Sequence, residues 1–390
     1  MSRFIQLTAL LACVILTSAT SLLQPALASE LENGQDAPSF AARNPNQGAR
    51  MTCREGGPSS IKPSSVHQLR PGDVRIAAAL GDSLGAANGA GAYTLVGVAF
   101  EYRGLSFSGG CGPPLNEHAT VPSLLRHFNP RLFGCARGTG RYDNFEKARF
   151  NAAMPFATIY DVISKQIGPL ARSMKKHLTR EQFETDWKVI TLHIGANDIC
   201  DSCNSDRLLP ARWGSAVSRA LAKIKRLIPR VLVNVAAPPH VEITRDMSRY
   251  CRVLHRLDCK CIFKLSEKTL RESAFAYYDE LKSFYKRQST TAQDTFTWAL
   301  QPFVNGILKV PRKENGKIDY SYFAPDCFHF SQKTHDIAGK MLWNNLLEAD
   351  GQKTVYKTFH EVKDLQPKCP ALNCPFLRTK ANSADCSQFF

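Results

Sequence analysis

A three-layer α/β/α sandwich around a mostly parallel central sheet is the fold class this 390-residue sequence predicts. Three mainly apolar runs carry the expectation: Val74–Leu80, Lys188–Ile194 and Val231–Ala237. Runs that do not alternate with polar residues suit parallel strands covered on both faces. Helical spacing falls between and after them. Thr158–Lys176 carries Ile159, Val162, Ile163, Ile167 and Leu170 on one face, and Ala211–Leu227 follows. Leu265–Arg287 is amphipathic through Leu270, Phe275, Tyr278, Leu281 and Tyr285, a stripe that reads as core packing in preference to a lipid-facing surface. Ser331–Leu347 is the last helix, with Ser331 as its N-cap. Strands alternating with helices give layers of helix on both sides of a sheet.

The remaining segments set the boundaries. Residues 1–28 read as a secretory leader: Arg3, an apolar stretch from Phe4 to Ile15, and the small-x-small pattern Ala26-Leu27-Ala28. Residues 29–70 form a polar lead-in with Pro38, Pro45, Pro58 and Pro63, expected to wrap the domain or stay mobile. The main domain is expected over 71–349, and a Cys- and Pro-rich tail, 350–390, is expected to pack on it through disulfides. No later stretch reaches the roughly 20 apolar residues of a membrane span, so a secreted, extracellular protein is expected.

Four segments carry candidate chemistry. Gly81-Asp82-Ser83-Leu84 follows the first apolar run, where a turn can hold the Ser83 hydroxyl in a cleft off the sheet's carboxyl edge. The plainer reading is a strand-to-helix turn capped by Asp82 or Ser83. Gly195-Ala196-Asn197-Asp198 follows the second run, and the Asn197 amide can donate to a developing oxyanion or simply serve a turn. Asp326-Cys327-Phe328-His329 sets a carboxylate three residues from an imidazole, a spacing that can orient the ring and stabilise its charged form. Gly104-Leu105-Ser106-Phe107-Ser108-Gly109-Gly110 reads as a flexible segment whose N–H groups point into a site.

Taken in this order the segments resemble the GDSL hydrolases, also called the SGNH family. The resemblance assigns Ser83 as nucleophile, Asp326 and His329 as its acid and base, and Ser83, Gly110 and Asn197 as oxyanion donors, with Gly109 the close competitor of Gly110. Further likeness, to the phospholipase B branch, lies in Ser65-Val66-His67-Gln68-Leu69-Arg70-Pro71, Glu101–Ser106, Phe323–Ser331, Trp343-Asn344-Asn345 and Pro375–Thr379. Two departures stand out. Gly85 occupies a position where the family usually has Thr or Ser. Ser108-Gly109-Gly110-Cys111 lacks an apolar residue before the glycines and an Asp after them.

The formal charge is +16, of which only Arg3 lies in the leader. Basic clusters at 172–177 and 219–230 suit an anionic membrane surface or plain solvated helix faces. No nucleic-acid-reading module is present, so no nucleic acid partner is expected. Of 13 cysteines, Cys13 falls in the leader, leaving an even set for disulfides. Cys200-x-x-Cys203 with Cys259-x-Cys261 leaves a structural zinc as the minor alternative. A disulfide at Cys200 and Cys203 would stiffen the Asn197 loop.

The expected activity is a calcium-independent serine esterase acting on phospholipid and lysophospholipid acyl esters, with no cofactor and no catalytic metal. Retinyl, neutral-lipid or small acyl esters are the alternative substrates, and a lipid-binding pseudoenzyme is the alternative of another class. Oligomeric state is left open.

Overall fold

A computed structural model describes residues 48–359 and 361–390; the leader and residues 29–47 of the lead-in lie outside the described residues. At its centre are four parallel strands in the order β1-β2-β3-β4. They are β1 (Val74–Gly81), β2 (Trp187–His193), β3 (Val231–Ala236) and β4 (Phe296–Gln301). The first three correspond to the apolar runs. The fourth, Phe-Thr-Trp-Ala-Leu-Gln, mixes polar and apolar residues and stands out less in the sequence. Its polar positions are nonetheless satisfied inside: Gln301 Nε2 donates to Asn234 Oδ1 of β3 at 3.0 Å.

The far edge of β1 is covered as well. Phe133 and Asn151 form parallel bridges to Ile76 and Ala79, and Met154 N donates to Gly81 O at 3.0 Å. β1 is therefore an interior strand, which explains why it has almost no polar residue.

Along the chain, α1 (Ser83–Ala86) opens directly off β1, followed by α2 (Leu95–Val98) and α3 (Val121–Phe128). Next, α4 (Ile167–His177) continues from a π-turn at Val162–Gln166. After β2 come α5 (Ala196–Asp201) and α6 (Pro210–Leu227). α7 (Arg249–Asp258) and α8 (Glu267–Lys286) precede β4, and α9 (Gln332–Leu347) closes the domain. Ser331 caps α9 by accepting from Thr334 N at 3.4 Å. The helices predicted from spacing thus exist within a few residues of their expected ends.

One core lies between one sheet face and α4, α6 and α8: Ile76, Ala78, Leu80, Ile190 and Leu192 pack with Leu170, Val217 and Leu281. Each such side chain, fully buried, contributes about 1.5–3 kcal/mol of transfer free energy. The α8 stripe belongs to this core, since Leu270, Tyr277, Leu281 and Tyr285 are buried. On the other face the packing is aromatic and histidine-rich. Phe107 meets His193 of β2 edge-on at 5.3 Å and stacks on His335 of α9 at 5.8 Å. α9 is buried nearly all round, and a Cβ at its Gly339 would lie 2.4 Å from Ala119 O, so only glycine permits that approach.

All twelve cysteines among the described residues are disulfide-bonded. Cys53–Cys369 ties the lead-in to the tail, and Cys374–Cys386 closes a loop inside the tail. Leu377 N donates to Leu69 O and Arg378 N to Leu346 O, so the tail lies along the lead-in and the end of α9. Among the described residues, no helix is long and apolar enough to cross a membrane.

Candidate active site

Three loops meet at the carboxyl edge of the sheet. The first leaves β1 through Gly81, whose φ of 151° no ordinary side chain adopts comfortably; a Cβ there would lie 2.1 Å from His193 O. The glycine lets β1 and β2 stay paired to the edge while the chain turns. Asp82 then caps α1, its Oδ1 accepting from Leu84 N at 2.9 Å, and Ser83 becomes the first helical residue. The second loop leaves β2 through Gly195, at φ 134°, and carries Asn197 on the first turn of α5. The third precedes α9. Asp326 Oδ1 accepts from both Phe328 N and His329 N at 3.0 Å, folding the four residues into a tight turn with Cys327 at φ 62°.

Ser83, Asp326 and His329 come together. Ser83 Oγ donates to His329 Nε2 across 2.8 Å, and His329 Nδ1 donates to Asp326 Oδ2 across 2.5 Å. All three are buried. Burial opposes the charged imidazole, but Asp326, with Asp258 and Asp82 behind it, outweighs burial and raises His329 above its ordinary value of 6.5. Burial acts on Asp326 in the opposite sense to its neighbours; His329 and the turn N–H groups win and hold it below the usual carboxylate range. Two further acids stand close. Burial pushes Asp82 up to about 7, and burial followed by repulsion from Asp326 pushes Asp258 up to about 6.

Asn197, on the loop after β2, has Nδ2 donating to Ala157 O at 3.0 Å. An amide has two N–H donors, so the second remains for a ligand. Ser83 N–H is the first amide of α1 and has no partner within its own helix.

Gly110 is different, and here the sequence expectation needs correcting. Its N–H donates to Ser106 O at 2.8 Å, and the competing Gly109 N–H donates to Ser106 Oγ at 3.1 Å. Both amides are committed inside their own turn. Nor is the segment a loose one: Ser106, Phe107 and Ser108 are buried because Phe107 is the wedge between His193 and His335.

The segment that borders Ser83 instead is Asn151–Ala157, which the sequence reading passed over. It runs beside the end of β1, and Asn151 Nδ2 donates to Gly85 O at 2.9 Å. A Cβ at Gly85 would meet Ala153 Cβ at 3.0 Å, so the glycine at this departure from the family pattern fits the crowding. The buried Arg103 holds the segment: it donates to Asn151 O at 2.8 Å and Ala153 O at 2.7 Å, and it pairs with Glu101. The available signal was the small-residue pattern Asn151-Ala152-Ala153, which allows close backbone approach.

An apolar cavity opens beside these residues. Leu84, Ala196 and Phe328, each next to a candidate site residue, line it together with Ile243, Ile307 and Phe330. Its walls are mainly apolar.

Disulfides fix the loops. Cys200 pairs with Cys259 and Cys203 with Cys261, so the Asn197 loop is tethered to the segment after α7, with no Cys200–Cys203 bridge. These four sulfurs are bonded to one another in pairs and do not form a thiolate zinc site. Cys251–Cys327 anchors the Asp326–His329 turn to α7. Among the described residues no group of three or more His, Cys, Asp or Glu is arranged to hold a metal ion.

The family model described as "GDSL-like Lipase/Acylhydrolase" matches residues 78–342. The chain is 39% identical over 349 residues to "Phospholipase B1, membrane-associated" of Homo sapiens, covering 86% of this chain and 24% of that protein. It is 37% identical over 353 residues to the protein of the same name in Mus musculus, covering 87% and 24%. The chain thus spans about a quarter of the length of these relatives. No solved structure matches. A match over most of the domain, on a parallel sheet flanked by helices, shows that the chain belongs to the GDSL-like lipase/acylhydrolase family and is a carboxylic ester hydrolase.

Proposed function

We propose that this chain is a secreted phospholipase B-like lipase that hydrolyses the acyl esters of phospholipids and lysophospholipids through an acyl-enzyme on Ser83. The observation that carries the reading is the 2.8 Å contact between Ser83 Oγ and His329 Nε2, backed by Asp326. His329 takes the hydroxyl proton as Ser83 Oγ bonds to the ester carbonyl carbon. The carbonyl oxygen becomes an oxyanion held by Ser83 N–H and Asn197 Nδ2. One such donor is worth about 2.7–4 kcal/mol in the transition state. Collapse breaks the bond to the glycerol oxygen, which receives the proton from His329. Water, deprotonated by the same imidazole, then releases the fatty acid and returns Ser83 to its starting state.

Asp326 holds the ring with Nε2 toward Ser83 and stabilises its charged form. Gly110 has no role in this scheme. Each proton and charge is handled by named side chains, so the reaction is expected to run in calcium chelator. The lipid class is supported by the relatives' names and by the apolar cavity next to Ser83. Residues 71–349 would form the catalytic domain, with the lead-in and tail bracing it.

The test is fatty-acid release from phosphatidylcholine carrying distinguishable acyl chains, in calcium chelator, by the wild type and by Ser83→Ala. Release of both chains by the wild type alone is expected. Turnover by a folded Ser83→Ala protein overturns the nucleophile. Hydrolysis of a short soluble ester without phospholipid hydrolysis overturns the substrate class. Absence of labelling by a fluorophosphonate probe overturns the enzyme reading in favour of lipid binding.

A further inference from the structure

Large apolar side chains lie exposed on three segments tied to the loops of the candidate site. The first is the stretch after α1, with Tyr93, Val96 and Phe100 exposed; Val96 is 65% exposed. This stretch is held against the histidine turn. A Cβ at Gly89 would meet both Ala324 Cβ and Val98 Cγ1 within 3.3 Å, and Ala324 N donates to His329 O at 2.8 Å. The second carries Phe156, 76% exposed and held at φ 61°. A bulky residue rarely adopts that conformation, and it precedes Ala157, the acceptor of the Asn197 amide. The third is α7, whose Leu257 is 70% exposed.

α7 adds charge. Arg249, Arg252 and Arg256 are exposed at steps of three and four residues, which place them on one helix face. The opposite face is fixed to the histidine turn: Cys251 is bonded to Cys327, and His255 Nε2 donates to Cys327 O at 3.1 Å. The arginine row is therefore rigidly registered to the turn that holds Asp326 and His329.

Scattered exposed apolar residues need no explanation, but several on segments joined to one site do. Apolar side chains beside a row of arginines match the boundary between acyl chains and anionic headgroups. We infer that these segments form the docking face for an anionic phospholipid surface, with Val96, Phe156 and Leu257 entering the acyl boundary and Arg249, Arg252 and Arg256 meeting headgroup phosphates. The inference rests on the lipid reading above and locates the contact. The basic clusters at 172–177 and 219–230 take no part in it. Docking in this orientation would bring the ester into the cleft without the lipid leaving the surface fully.

The test uses the Ser83→Ala protein, so that vesicles stay intact. Sedimentation with phosphatidylcholine vesicles, with and without phosphatidylserine, measures binding. Tighter binding to the anionic vesicles, weakening with salt, is expected. Adding Arg252→Glu and Arg256→Glu should lower anionic-vesicle affinity by about tenfold or more. Val96→Asp should weaken binding to both vesicle types, and thermal melting reports whether each variant is folded. In the wild-type background, Val96→Asp should lower the ratio of vesicle to soluble-ester turnover.

Unchanged binding by folded variants overturns the inference while leaving phospholipid hydrolysis standing. Vesicle binding through these segments with no phospholipid hydrolysis overturns the substrate class and leaves the docking face standing. Stronger binding after removal of residues 1–47 would show that this face is covered by the chain's own N-terminal segment, which also overturns the inference.

Discussion

Arg103 Nη1 donates to the carbonyl oxygen of Asn151 at 2.8 Å and to its side-chain oxygen at 3.2 Å. The guanidinium is fully buried and also reaches Ala153 O, Gly140 O and Glu101. A planar fork can meet acceptors in several directions at once, whereas a lysine ammonium at the end of a flexible stem cannot. Asn151 in turn holds Gly85 O, so the arginine fixes the wall beside Ser83 through one intermediary. Arg103→Lys is expected to lower kcat on a soluble ester by about tenfold or more with little change in KM, because a small misplacement at the reacting centre is costly. A folded variant with unchanged kcat and only a lower Tm would make Arg103 a purely structural residue.

The acid limb of the pH profile should report His329. The base must be neutral to accept the Ser83 proton, and its carboxylate neighbours raise its pKa above 6.5. Activity therefore falls as pH drops through a midpoint above 6.5. Asp258 contributes to that field, and Asp258→Asn removes one negative charge. The acid limb of kcat/KM should move to lower pH while the neutral plateau is retained. A limb that stays in place would show that Asp258 does not act on His329.

Stability should depend on pH through a different set of groups. Burial lowers His193 to about 4, and neither ring nitrogen has a hydrogen-bond partner. Unfolded, the same ring takes a proton near 6.5. The native state therefore holds an advantage above pH 6.5 that is lost as pH falls through about 4, worth roughly 3 kcal/mol for this one residue. His193→Phe keeps a ring against Phe107 and removes the titration. Its Tm should fall less between pH 7 and pH 4 than that of the wild type. Buried His118, His255 and His335 are also shifted down, so part of the fall remains. Identical slopes would place the acid sensitivity in those residues alone.

Chain-length preference should follow the apolar cavity. Ile243 is buried on its wall. Ile243→Trp fills space that a long acyl chain would use. The variant should lose about tenfold or more in kcat/KM for long-chain esters relative to short ones, since each methylene excluded forfeits about 0.8 kcal/mol. A uniform loss across chain lengths would place the acyl chain elsewhere.

The sheet and the meeting of Ser83, Asp326 and His329 were legible for physical reasons. β1 to β3 are buried on both faces and so are written as mainly apolar runs, and the Asp326–His329 spacing is itself a local turn. β4 is short and mixes apolar residues with Thr297 and Gln301, both buried, and only the neighbouring strand reveals the partner of Gln301. The Gly110 assignment went astray for another reason. A Gly-Gly pair advertises available backbone N–H groups, but nothing local tells which acceptor will take them; here Ser106, three and four residues back, takes both. Asn151 and Arg103 were hidden because their meaning lies in long-range contacts with backbone carbonyls.

The bridge between Cys53 and Cys369 spans 316 residues and encloses the sheet, the loops of Ser83, Asp326 and His329, and α9. In covalent terms the stretch between the two cysteines is a closed ring. A single peptide-bond cut anywhere inside it leaves one molecule whose pieces remain linked, and tension applied at the ends passes through the sulfur bridge before it reaches any strand.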